Sequence, residues 1–171
     1  MKFMKYILVS LVIMTSPVFA ATGSEQMMLD MIEWIEDNSK YQYNGEPLPV
    51  LQVKTQKEVC EALYAEPPAE CTAIGYYNNT MNVIVMSPDP IGDMVQEKLI
   101  EMIIFHELVH YLQYLNGEDQ EVACMNALEK DAYKLQDQYI QEMNWPEENR
   151  PNMLFAYLIS SCHPDFLGGF Q

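Results

Sequence analysis

A chain of 171 residues, 49% of them hydrophobic and 20% charged, has the composition of a globular protein long enough to bury a core and short enough for one domain. Its 25 acidic side chains against 9 basic ones give a net charge of −16. A surface of that sign repels nucleic acid and anionic lipid headgroups, which excludes both as expected partners.

The first twenty residues, MKFMKYILVSLVIMTSPVFA, place Lys2 and Lys5 before an apolar stretch from Tyr6 to Met14 and end on Val18-Phe19-Ala20. That is the pattern of a secretory signal peptide cleaved before Ala21. Its apolar core is shorter than the roughly 20 residues a spanning helix needs, so no stable membrane insertion is expected after cleavage. Loss of the two lysines takes the expected mature net charge to about −18. The expected domain is then 21–171, in the periplasm or secreted. Four cysteines, Cys60, Cys71, Cys124 and Cys162, remain in it. An even number in an exported chain favours disulfides. Three pairings are possible, and the short CEALYAEPPAEC segment makes Cys60 with Cys71 the first choice, leaving Cys124 with Cys162.

SEQMMLDMIEWIEDNSK spaces Met28, Met31, Ile32 and Ile35 as an amphipathic helix does. LPVLQVKT is a predicted strand, and QKEVCEALYA a short helix stopped by Pro67-Pro68. In AIGYYNNTMNVIVMS, Asn78-Asn79 separates two β-prone runs and predicts a hairpin. DMVQEKLIEMIIFHELVHYLQYLNG predicts a long helix that Asp93 can cap and Gly117 can end. A second long helix is expected over DQEVACMNALEKDAYKLQDQYIQEM, carrying Cys124 five residues before Glu129, and a short helix in the tail. The expected fold class is α+β.

Within the long helix, IIFHELVHYLQ surrounds His106, Glu107 and His110 with apolar residues in almost every direction, the pattern of a buried helix. Polar groups left without partners there cost roughly 1–3 kcal/mol each. At about 100° per residue, His110 lies some 40° from His106 and one turn along, so the two imidazoles can grip one ion. Glu107 falls beside that ion. This is the HExxH arrangement of a zinc-binding pair with a general base. A third histidine in the metzincin position is absent, because that place is Asn116. A downstream glutamate is the other solution, and LEKDAY supplies Glu129 on the following helix. Glu118, Asp119 and Glu121 are rivals that fall where the turn should be.

FHELVHYLQ followed by LEKDAY resembles the glutamate-type zinc metallopeptidases of the zincin fold, above all small members in which HExxHxxQ precedes an E-x-D/E-A segment. The resemblance spans residues 93 to about 140. It implies a minimal zincin-like domain in which a small sheet with an edge hairpin packs on the HExxH helix. It also implies Zn²⁺ held by His106, His110 and Glu129, with Glu107 as catalytic base and a peptide or protein as substrate. Such an enzyme hydrolyses amide bonds with water whose pKa zinc lowers to roughly 7. A donor must stabilise the oxyanion, and His163, Tyr133 and Tyr157 are the candidates, with His163 the first choice. The run TMNVIVM occupies the place of the edge strand to which an extended peptide can add. The alternative is an exported zinc-binding module that acts on a partner protein without turnover.

Overall fold

The structure, a computed structural model, describes residues 23–69, 71–88 and 96–162. The expected signal peptide, Asp93 and His163 lie outside them. The first helix, α1 (Gly23–Asn38), buries Met28, Met31, Ile32 and Ile35, the four residues of the apolar stripe. Strand β1 (Val50–Val53) leads through Thr55 into α2 (Gln56–Leu63). The Thr55 side chain accepts from the Glu58 backbone N–H while the Glu58 carboxylate accepts from that of Thr55, a capping box that starts the helix. A hairpin of β2 (Gly75–Asn78) and β3 (Val83–Met86) follows.

The sheet order is β1-β3-β2, with β1 parallel and β2 antiparallel to β3. All four residues of β3 are buried, because both of its edges are paired and both of its faces are covered. Ile84 and Met86 enter the main core with α1 and the long helix α3 (Gln96–Leu115). Val83 and Val85 meet Val59 of α2 on the other face. The domain is therefore α+β. The expectation that TMNVIVM forms an edge is corrected: β3 is the central strand, with β1 and β2 at the two edges of the sheet among the described residues.

The apolar surround of α3 is as complete as its sequence suggests, with Phe105, Leu108, Val109 and Leu112 fully enclosed. Gly117 ends it in the left-handed region at φ 73°, a conformation glycine adopts without a Cβ penalty. The next helix departs from expectation. Residues 118–120 and 125–128 form two short 3₁₀ turns, and α4 (Glu129–Glu142) begins only at Glu129 itself. Cys124 is not on that helix but extended, at φ −158° and ψ 157°. There it bonds to Cys162, with the two Cα atoms 5.7 Å apart. The Cys60–Cys71 disulfide is also present. The last helix, α5 (Met153–Ile159), packs against α4 and precedes Cys162. Among the described residues no helix is long and apolar enough to cross a membrane.

Candidate metal centre

Helices α3 and α4 run antiparallel, since His106 meets Gln136 and Gln113 meets Leu128. Along α4, Glu129, Ala132, Tyr133 and Gln136 follow at helical spacing, so one stripe of that helix faces the histidines. Glu129 Oε2 lies 3.1 Å from His106 Nε2 and its Oε1 3.3 Å from His110 Nε2. The two Nε2 atoms are themselves 3.1 Å apart. The donor atoms of His106, His110 and Glu129 all fall within 4.8 Å of one another, and the three residues can hold a metal ion.

The chemistry of these donors fits a cation. His106 Nδ1 lies 3.0 Å from the Gln136 side-chain oxygen and His110 Nδ1 2.8 Å from that of Gln113. An amide oxygen only accepts, so each Nδ1 carries a hydrogen and each ring turns its Nε2 inward. Two ring nitrogens and a carboxylate then converge on one point, an arrangement that a positive charge must balance. In the protein alone the charge is a proton. Burial would lower the His110 pKa, but the Glu129 carboxylate outweighs it and raises it to about 9. Burial likewise opposes ionisation of Glu129, and His110 and His106 overcome it, holding that carboxyl far below its usual range. Its place in the first turn of α4 is the end of a helix that favours a negative charge.

Glu107 is 6% exposed and bonded to the backbone N–H of Tyr77 on β2. Burial pushes its pKa up, against the pull of both histidines, which suits a carboxylate that must take and release a proton. The strand comes this close because residue 75 is glycine. A Cβ there would stand 2.5 Å from Ile103 Cγ2, 3.2 Å from the Val85 carbonyl and 3.4 Å from Glu107 Oε1.

His106, Glu107, His110, Glu129 and Tyr133 line one cavity of about 610 Å³. Strand β2 borders it, as do Phe155 and Ile159 of α5. The Tyr133 ring centroid is 4.6 Å from that of His106. Its hydroxyl stays protonated well above the usual range, through burial and then the Glu129 and Glu107 charges. Tyr157 is 65% exposed and not part of this wall. Of the rival carboxylates, Glu118 is engaged by Lys40 and Tyr41, and neither it, Asp119 nor Glu121 belongs to the metal-binding group. Gln136, Gly75 and Tyr77 were not anticipated. Spacing of seven from Glu129 marks Gln136 as facing the same way, and a glycine inside a β-prone run marks a close backbone approach at position 75.

Fold and site thus define an α+β domain with a partly buried three-residue group that could hold a metal ion. The chain belongs to a family described as a domain of unknown function, DUF6647, which matches residues 20–166. No curated protein and no solved structure matches it.

Proposed function

We propose that the protein is an exported zinc-dependent hydrolase that cleaves amide bonds in peptides or proteins. The observation that carries this is the placement of Glu107, buried and one residue from a ligand, beside three convergent donors in a cleft with a strand edge along its wall. Zinc suits two imidazoles and a carboxylate, and when bound there it would supply Lewis acidity to a carbonyl oxygen and acidify water. Glu107 accepts the proton of the attacking water and returns it to the nitrogen as the C–N bond breaks. The Tyr133 hydroxyl donates to the oxyanion from the α4 side, and His163, which follows the Cys124–Cys162 tether, is the second donor to test. An extended substrate adds to the free edge of β2, whose backbone bonds make little sequence demand. The remaining walls include Leu63, Met102, Met125, Phe155 and Ile159 and, among the described residues, no lysine or arginine, so they accept apolar substrate side chains. Both disulfides support an oxidising compartment and hence export.

The test is a peptide-library digest read by mass spectrometry, with zinc content measured in parallel. The wild type should cleave internal peptide bonds, and Glu107→Gln should keep its zinc while losing turnover. Zinc in both proteins with cleavage by neither would identify a binding module instead.

A further inference from the structure

Gln113 is fully buried one turn beyond His110, and every bonding direction of its side-chain amide is engaged except one oxygen lone pair. Its nitrogen donates to the Leu128 carbonyl at 2.9 Å and to the Tyr41 hydroxyl oxygen at 3.1 Å. A backbone carbonyl cannot donate, so the amide has only one possible orientation, with its oxygen toward His110 Nδ1 at 2.8 Å. Leu128 is the residue before Glu129, at the junction where the 3₁₀ turn passes into α4.

We infer that Gln113 is a positioning residue that joins two ligands of the candidate metal centre, fixing the ring of His110 with its oxygen and the start of the Glu129 helix with its nitrogen. By accepting at Nδ1 it holds the ring with Nε2 facing His106 and Glu129. By holding the Leu128 carbonyl it sets where the Glu129 backbone begins.

Tyr41 anchors the amide from behind. It is 1% exposed, and its hydroxyl bonds the Glu118 carboxylate and lies 3.2 Å from Asp131 Oδ2. Glu118 is in turn paired with Lys40. These contacts tie the loop after α1, the turn after α3 and the first turn of α4 to one side chain.

The inference rests on the metal assignment and not on turnover, so a protein that binds zinc yet hydrolyses nothing would leave it standing. Gln113→Leu keeps the volume and removes all three bonds. Competition with a chromophoric chelator should show its zinc affinity reduced about 10–100-fold, as for loss of a partner that orients a ligand. Nitrogen-15 NMR of the zinc-free wild type should show the neutral His110 ring as the Nδ1–H tautomer, a preference Gln113→Leu should lose. An Nε2–H wild type, or unchanged zinc affinity in Gln113→Leu, overturns the inference. If Gln113→Leu fails to fold, Tyr41→Phe decides together with the wild-type tautomer. It should weaken zinc binding roughly two- to tenfold, the worth of one neutral hydrogen bond, and no change would refute the coupling.

Discussion

Adding one methyl group at Gly75 tests the packing that brings the sheet to the helix that carries His106, Glu107 and His110. The new Cβ would sit 2.5 Å from Ile103 Cγ2, whereas carbon atoms in contact prefer about 3.5–4.0 Å. Roughly 1 Å must therefore be found. Ile103 is 3% exposed and β-branched, with one favoured χ1 in a helix, so it cannot swing aside. The Val85 carbonyl at 3.2 Å closes the other side. Overpacking of this kind costs about 1–3 kcal/mol, which for a domain of this size lowers Tm by roughly 2–12 °C. Because the relief is β2 moving away from α3, the Tyr77 N–H should also leave Glu107, and turnover should fall with zinc content unchanged. Thermal unfolding and peptide cleavage by Gly75→Ala measure the two effects. Ile103→Ala should partly rescue it, the double variant being more stable than the two single losses added together. Gly75 is not in the left-handed region, so without the clash Ala would stabilise by about 0.4–1 kcal/mol. A stabilised or neutral Gly75→Ala would refute the close approach.

Three further outcomes follow from the same geometry. His110 in the zinc-free protein is protonated up to a pKa of about 9, so zinc must displace that proton below it. The apparent affinity should rise with pH until about 9, and calorimetry in buffers of different ionisation enthalpy at pH 7 should find proton release. The Cys124–Cys162 bond closes a 38-residue loop and Cys60–Cys71 an 11-residue one. On the chain-entropy relation their removal by paired Ala substitution costs about 4 and 3 kcal/mol, so denaturant unfolding should rank the first as the greater loss. Tyr133→Phe should lower turnover by about 10²–10³-fold with zinc retained, in the range for one oxyanion donor. If His163→Ala has that effect and Tyr133→Phe none, the donor is His163.

Local periodicity was enough to foresee α1 and α3, because the stripe of Met28, Met31, Ile32 and Ile35 and the enclosed His106-Glu107-His110 run each express the environment of a single helix. The late start of α4 was not legible. Helix-forming residues occupy 118–128, but Cys124 is drawn into an extended conformation by a partner 38 residues away. Which hairpin strand is central was hidden for a similar reason. The parallel pairing of β1 with β3 crosses α2 and β2, and nothing in NVIVM alone reports it. Gln113 is the glutamine of the HExxHxxQ pattern, but its bond to the Leu128 carbonyl was not legible, and Gln136 reads as an ordinary polar helix residue whose contact with His106 exists only once α3 and α4 pack antiparallel.

The centre itself is tested most directly by zinc K-edge X-ray absorption on the purified protein, with zinc content measured on four variants. The expected result is one zinc per chain with only nitrogen and oxygen neighbours at about 2.0–2.2 Å, including two imidazoles. Glu129→Ala should lose the metal, as should His106→Ala and His110→Ala, while Glu121→Ala keeps it. Sulfur at about 2.3 Å, or full zinc in Glu129→Ala and none in Glu121→Ala, would contradict the assignment.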